Sequence, residues 1–328
     1  MPQQSVIYAV TRTKVQETRL LSQDRLLRLL ESADTNAALY ALSEMGYGGQ
    51  DNSDFEVMIN EELIKTARYM DEVTPNKLAT DVLRLKYDCQ NVKAVLKCHM
   101  LQKTPENLIP LGTVEIEELL KAGENGNFFC LPGHMQKAAE EIYQNLELGN
   151  VTPSAVDCAL DIACYEDMAA YAAEAKVPVV QEMVTAQADF ANLLMSLRVR
   201  DSEEGEALLS RALVPGGRIE RRYFIQSLSQ PADALYSFLG LSMYEKATAP
   251  GMQEYVNTGK LTHLERLLDD YILEFFKEKR NDSFSIVPVI GFQLAKEREA
   301  QAVRLLMVAK ANNMPTEMVR ERLRELYE

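Results

Sequence analysis

The 328-residue sequence has no tryptophan, three histidines, five cysteines and no long apolar run. The uncharged stretch near the C-terminus that contains SIVPVIGFQLA has 13 residues, fewer than the roughly 20 needed to span a bilayer. The first residues, MPQQSVIYAVTRTK, lack the charged-then-apolar layout of a secretion signal. We therefore expect a cytoplasmic protein without a membrane-spanning segment.

The scarce cysteines and histidines indicate neither disulfides nor a metal site. No two cysteines have the two-residue spacing of metal knuckles, and their number is odd. The histidines are scattered, and although Cys98 precedes His99, neighbouring residues on a helix point about 100° apart. We expect reduced core cysteines, no metal and no cofactor.

The charge balance argues against nucleic acid and acidic membrane surfaces as partners. The chain has 35 Lys and Arg against 49 Asp and Glu, a net charge of -14, which repels nucleic acid and acidic lipid surfaces. GYGGQ and PGGR lack the glycine spacing and the following Lys-Ser or Lys-Thr of a phosphate-binding loop. Neither nucleic-acid binding nor direct nucleotide binding is expected.

Apolar residues recur at three- and four-residue spacing along nearly the whole chain, and alternating β-branched runs are almost absent. This pattern predicts an all-α fold. In LSQDRLLRLLES, Ser22 or Asp24 is a candidate helix N-cap. In the next segment Asp34 is a candidate cap, and Gly46 is a candidate helix stop.

Three stretches about a hundred positions apart share an order of residue types, which suggests an internal repeat. They are DCQNVKAVLK from Asp88, DFANLLMSLR from Asp189 and EAQAVRLLMVAK from Glu299. The small or amide residue three positions after each acid is Asn91, Asn192 or Ala302. The repeat predicts three helical domains with approximate bounds 1–104, 105–208 and 209–328, between which helices can be exchanged.

A second shared element follows each stretch. Its copies are IPLGTVEIEELL, VPGGRIERRYF and MPTEMVRERL, with prolines at Pro110, Pro215 and Pro315. Proline there ends one helix or begins the next, and the glycines of the first two copies ease the turn. We predict equivalent positions for Asp88, Asp189 and Glu299 in the three domains.

One acidic cluster and one basic cluster are candidate sites. The cluster DDYILE, Asp269 to Glu274, resembles the magnesium-binding acids of all-α isoprenoid synthases. However, apolar residues of the same helix form a stripe that predicts burial, which leaves these acids on a solvated face. The segment NDSFSIVPV has Val289 where a second metal motif needs a carboxylate, and there is no tryptophan to line a carbocation pocket.

The basic cluster RIERRYF contains Arg218, Arg221 and Arg222 and is the one local basic patch in an acidic sequence. It is either a surface helix turn paired to Glu220 or a partner-docking site. Near the C-terminus, EAQAVRLLMVAK and the preceding AKER combine one apolar face with charges of both signs elsewhere. We interpret that helix, which includes Lys296, as scaffold.

The same C-terminal stretch, FQLAKEREAQAVRLLMVAKANNMPTEMVRERLREL, resembles the C-terminal motif of the C subunits of the prokaryotic V-type (A/V-type) ATPases, which are relatives of the eukaryotic d subunit. YAVTRTKVQETRLLSQDRLLRLLES, MGYGG and LKYDCQNVKAVLK are similar to further motifs of that family. The similarity covers essentially the whole chain in order, except that residues 123–176 match least well.

The resemblance implies a funnel of three similar helical domains around a pseudo-threefold axis. It implies a non-catalytic rotor subunit on the cytoplasmic side, a socket between the proteolipid ring and the central-shaft subunits of D and F type. Membrane association would then go through protein contacts. The alternatives are a helical-repeat adaptor of another complex and a magnesium-dependent isoprenoid synthase.

Overall fold

The computed structural model describes residues 5–49, 53–149 and 151–327. Within these ranges the chain forms α-helices, two short 3₁₀ turns and no β-strand. The predicted all-α fold is confirmed.

The helices, in chain order, are α1 (Val6–Glu17), α2 (Gln23–Glu31), α3 (Thr35–Glu44), α4 (Phe55–Val73), α5 (Lys77–Asp81), α6 (Leu85–Met100), α7 (Ile116–Asn125), α8 (Gly133–Glu147), α9 (Pro153–Ala175), α10 (Pro178–Val199), α11 (Gly205–Ala212), α12 (Arg221–Ser227), α13 (Leu235–Phe238), α14 (Glu245–Thr258), α15 (Thr262–Lys277), α16 (Val287–Ala311) and α17 (Thr316–Arg322).

The helices form two compact units. Unit 1 comprises the described residues of Met1–Lys77 and Tyr244–Glu328, and unit 2 comprises those of Leu78–Met243. Unit 1 is therefore built from both ends of the sequence. The division into three repeated domains stays a prediction.

Helix α16 is the central element of unit 1. It packs against α1, α2, α3, α4, α15 and α17. Most of its apolar residues are buried, and so are the four consecutive charged residues 296–299, each at most 7% exposed. The expectation that these charges lie away from the buried face is wrong, because neighbouring helices cover α16 on nearly every side.

Local capping in unit 1 agrees with the sequence. The side chain of Ser22 accepts a hydrogen bond from the backbone N–H of Arg25, and that of Asp34 accepts one from Ala37. After α3, Gly46 has φ +97°, a conformation in which L side chains are strained. These short-range signals define the start of α2 and both ends of α3.

Unit 2 is organised around α9 and α10. Helix α9 packs against α6, α8, α10 and α11. It begins with Pro153 behind the N-cap Thr152, and its last turn ends at Lys176 in the left-handed region. Pro178 then starts α10, so proline opens both long helices where its missing N–H removes no helical hydrogen bond.

All five cysteines are free thiols. Cys89 and Cys164 are buried, whereas Cys98, Cys130 and Cys158 are partly exposed, so only two of the predicted core cysteines lie fully in the core. Across residues 5–49, 53–149 and 151–327, no group of three His, Cys, Asp or Glu is placed to hold a metal ion.

Candidate functional site

Two turns in unit 2 are held by buried aspartates. Asp88 on α6 accepts hydrogen bonds from the backbone N–H groups of Thr113 at 2.9 Å and Val114 at 3.1 Å, just before α7. Asp189 on α10 accepts the same kind of bonds, both 3.0 Å, from Arg218 and Ile219, just before α12. Each acid thus fixes the backbone that leads into the next helix.

An asparagine one turn further along each helix binds the backbone of the same turn at a second point. Asn91 donates to the backbone oxygen of Ile109 and accepts from its N–H, both at 2.8 Å. Asn192 makes the same pair of bonds to Val214, at 2.9 and 2.8 Å. Because a side-chain amide carries both a donor and an acceptor, it satisfies both backbone groups of one residue. The predicted likeness of DCQN and DFAN therefore has a structural cause.

Glycine allows the turn to approach the acid closely. A Cβ atom added at Gly112 would lie 2.0 Å from Oδ1 of Asp88, and one added at Gly217 would lie 2.2 Å from Oδ1 of Asp189. Real Cβ atoms essentially never approach other atoms within 3.0 Å. Both glycines are thus required by close approach to the anchoring carboxylate.

A related anchor in unit 1 comes from an unexpected part of the chain. Glu299 on α16 accepts a bond of 2.5 Å from the backbone N–H of Leu21, just before α2. The backbone that Glu299 binds thus lies near the N-terminus and not in the segment around Pro315 that follows Glu299 in the sequence. Glutamate is one methylene longer than aspartate, so its carboxylate reaches a turn that is further from the backbone of its own helix. Arg19 therefore occupies the position at which the other two turns have glycine.

The carboxylate of Glu299 has two further partners. Tyr47 donates its hydroxyl to Oε1 at 2.7 Å, and Lys296 donates its ammonium group to Oε1 at 2.7 Å. Lys296 also pairs with Glu62 at 2.8 Å. Burial acts to lower the pKa of Lys296, but Glu299 and Glu62 outweigh it and raise the pKa above its ordinary value. The ammonium group therefore stays charged at neutral pH.

We call residues 19–22, 109–115 and 214–220 the acid-anchored turns. In each, an aliphatic residue precedes the N-cap, and an apolar residue five positions later is at most 1% exposed. These pairs are Leu21 and Leu26, Val114 and Leu119, and Ile219 and Phe224. The spacing is that of a hydrophobic staple, which fixes the angle at which the chain enters the helix.

The three predicted arginines extend from the last of these turns. Arg218 pairs with both oxygens of Glu182 at 2.5 Å. Arg222 pairs with Glu220 at 3.0 Å, as the sequence suggested, and its guanidinium lies 5.0 Å from the centre of the Tyr223 ring. Arg218, Arg221 and Arg222 are all exposed. They form a basic surface on a backbone that Asp189 and Asn192 hold in place.

The first turns of the helices that follow the three anchors differ in charge. Helix α7 begins with Glu117 and Glu118 in its first turn, whereas α12 begins with Arg221 and Arg222. Helix α2 has Asp24 there, followed by Arg25. Acids are favoured at a helix N-terminus and cations are not, so the arginines of α12 oppose the local electrostatic preference.

The acids of DDYILE are used within the fold. Asp269 forms ion pairs with Arg298 and Arg324, and a carboxylate oxygen of Asp270 accepts from the backbone N–H of Glu325 at 3.1 Å. Both residues are partly exposed, so the predicted acid face is reached by solvent and also makes contacts within the fold. The predicted apolar stripe of α15 is buried at Leu264, Leu268 and Ile272 and partly buried elsewhere.

None of the helices in the described part of the chain has both the length and the apolar character needed to cross a lipid bilayer. The protein is thus all-helical. Its candidate contact residues, the three arginines, lie at a turn between helices that the buried Asp189 holds in place. A comparison with known families gives this class a more specific assignment.

The profile of the ATP synthase (C/AC39) subunit family matches residues 9–322. Similar proteins include the C subunit of the V-type sodium ATPase of Enterococcus hirae, 22% identical over 283 residues that cover 86% of this chain and 85% of that protein. The C subunit of the A-type ATP synthase of Thermococcus onnurineus is 24% identical over 340 residues, covering 96% and 88%. That of Haloferax volcanii is 27% identical over 303 residues, covering 86% and 83%.

The chain belongs to the ATP synthase (C/AC39) subunit family. It is therefore a subunit of a V/A-type rotary ATPase, and other subunits of that complex are its partners. Sequence reasoning named the family, the three acids and the arginine cluster. It missed Leu21, because nothing in the local pattern around residue 21 indicates a partner near residue 299.

Proposed function

We propose that this chain is the non-catalytic coupling piece of the rotor, a socket that joins the proteolipid ring to the central-shaft subunits of D and F type. In this role it lies on the cytoplasmic face and is held to the membrane through protein contacts. It transmits torque during ion transport linked to ATP hydrolysis or synthesis. The family match over nearly the entire chain is the observation that carries the proposal.

The acid-anchored turns support a mechanical role. A coupling piece must resist shear, and buried carboxylates that bind backbone N–H groups stiffen connections that would otherwise be the softest parts of a helical protein. Asp88 and Asp189 are each 1% exposed and Glu299 is 2% exposed. Their bonds are thus protected from competition with water.

The charge of the surface supports contacts with proteins of complementary charge. The net charge of -14 favours a basic shaft tip or basic loops of the ring over acidic lipid. Within this acidic chain, Arg218, Arg221 and Arg222 are the candidate contacts for an acidic segment of a partner subunit. Arg221 and Arg222 lie at a helix N-terminus, where positive charge is unfavourable. Binding to a partner therefore explains their charge better than stabilisation of the helix does.

The test is a pull-down of the purified shaft pair and of the detergent-solubilised ring by this chain, across a salt series. We expect both partners to be retained at low salt and progressively lost as salt rises, because screening weakens complementary charge contacts. Failure to retain either partner at low salt contradicts the rotor proposal.

A triple variant, Arg218→Gln with Arg221→Gln and Arg222→Gln, tests the basic surface. We expect weaker retention of one partner and a shallower salt dependence. Arg211→Gln on α11 removes an exposed arginine from the same unit and serves as the control. Equal retention by the triple variant and the control excludes the arginines as contacts while leaving the rotor role intact.

A further inference from the structure

A second concentration of positive charge lies in unit 1, in a pocket between α15, α16 and the C-terminal segment. The pocket encloses about 250 Å³, and four arginines line it: Arg266, Arg298, Arg322 and Arg324. Glu265 is the only acid among its lining residues. Such a cluster stands out in a chain of net charge -14.

Two aspartates of α15 lie close to these arginines. Asp269 is shared by two of them, since it pairs with both Arg298 and Arg324. Asp270 interacts electrostatically with Arg298 and Arg266, and its carboxylate also accepts the backbone N–H of residue 325. The two aspartates therefore compensate only part of the positive charge.

The remaining charge of the pocket is positive. Arg266 and Arg322 have no ion pair within 4.0 Å anywhere in the described part of the chain. Four guanidinium groups face three carboxylates, those of Glu265, Asp269 and Asp270. A fourth carboxylate near Asp270, that of Glu325, is paired with Lys277 at 3.3 Å. An excess of one positive charge is thus left next to the pocket.

Hydrogen-bond donors at the pocket also lack acceptors. Arg298 is 5% exposed, and its Nη2 donates to the backbone oxygen of Asp269 at 3.0 Å. Its Nη1 is buried and lies 3.5 Å from Oδ2 of Asp269, within ion-pair distance but without a hydrogen bond. Nε of Arg266 is also buried and has no hydrogen-bond partner among the described residues. A buried charged donor without an acceptor is destabilising. An anion that enters the pocket would supply the missing acceptors.

We propose that this pocket binds a free phosphate group, as inorganic phosphate or as the phosphate of a small soluble molecule. Guanidinium groups match the oxygens of phosphate in bidentate geometry. Phosphate is negatively charged at neutral pH and has more acceptor oxygens than a carboxylate, so it can serve several arginines at once. The inference rests on unit 1 alone and does not depend on the proposed rotor role.

The experiment is a calorimetric titration of the full chain with inorganic phosphate and with pyrophosphate, against chloride and acetate at matched ionic strength. We expect saturable one-to-one binding of phosphate and only a weak response to acetate. Arg266→Gln and Arg322→Gln should each weaken phosphate binding about tenfold or more, since each removes a charge-assisted hydrogen bond.

Arg320→Gln is the matched control, because Arg320 is exposed on the same helix as Arg322 and does not line the pocket. It should leave phosphate affinity unchanged. A phosphate response no larger than that of chloride, equal binding by all three variants, or acetate binding as tight as phosphate overturns the proposal. Retention on phosphatidic acid vesicles that is lost with Arg322→Gln would assign the pocket to a lipid headgroup and overturn the free-phosphate assignment.

Discussion

At the scale of single residues, the length of the anchoring acid determines what the facing backbone must be. Asp88 and Asp189 face Gly112 and Gly217, where a Cβ atom would overlap the carboxylate. Glu299 reaches the turn before α2 with one more methylene and needs no glycine. Burial raises the pKa of Asp88 even though backbone N–H groups donate to it. Burial of a charged carboxylate at this position is therefore destabilising unless the groups that donate hydrogen bonds to it are held in place.

We predict that Gly217→Ala lowers the free energy of unfolding by about 1–3 kcal/mol, because the added Cβ either overlaps Oδ1 of Asp189 or pushes the turn away from it. Urea denaturation followed by circular dichroism measures the change.

Gly133→Ala at the start of α8 is the control, since a Cβ there meets no atom within 4 Å. It should change stability by less than about 0.5 kcal/mol. Similar stability of the two variants contradicts the close-approach argument.

At the scale of elements, α16 carries charges inside a covered helix. Lys296 is 6% exposed and lies between Glu299 and Glu62, while Arg298 donates to the backbone oxygen of Asp269 on α15. A buried ion pair contributes little net stability, but removal of one partner leaves the other charge buried and uncompensated. These charges thus connect α16 to α4, α15 and the turn before α2.

We predict that Lys296→Met destabilises the protein by about 3–5 kcal/mol, because it leaves Glu299 without its cation in a buried position. Arg304→Met on the same helix breaks the ion pair between Arg304 and Glu56. The side chains of these two residues are 39% and 41% exposed. This control should cost no more than about 1 kcal/mol.

Thermal and urea denaturation of both variants measure the difference. Hydrogen exchange at the amide of Leu21 gives a second readout, since loss of Lys296 also loosens the carboxylate that this amide binds. Equal destabilisation by the two variants, with unchanged exchange at Leu21, would show that the buried network does not hold the turn.

At the scale of the whole molecule, the net charge of -14 governs long-range interactions. Like charge repels an acidic lipid surface over about one Debye length, roughly 8 Å at physiological salt. The two local basic surfaces, around Arg221 and around Arg322, are too small to reverse the overall sign. Attachment to a membrane should therefore require a protein partner.

We predict that the purified chain does not sediment with vesicles rich in phosphatidylserine but does sediment with vesicles that contain the proteolipid ring. The measurement is co-sedimentation at low salt and at physiological salt, because the lower salt extends the range over which surface charge acts. Binding to vesicles without the ring contradicts attachment through protein.

The sequence by itself determined the secondary structure class and much of the local chemistry. Helical periodicity is a local property, and so are the caps at Ser22 and Asp34, which bind backbone groups three residues away. The acids Asp88 and Asp189 were recognisable because their partners follow within 30 positions in a repeated order of residue types. Similarity over the whole chain identified the family.

Only the tertiary structure decided which distant groups meet. Glu299 binds the backbone of Leu21 across 278 positions, whereas Asp88 and Asp189 bind segments that follow them within 30 positions. The charges at 296–299 were expected to lie away from the buried face, because a helix with mixed charges has the same sequence pattern whether water or other side chains surround it. Burial and long-range partners depend on how all the helices pack together, and a local pattern contains no information about that packing.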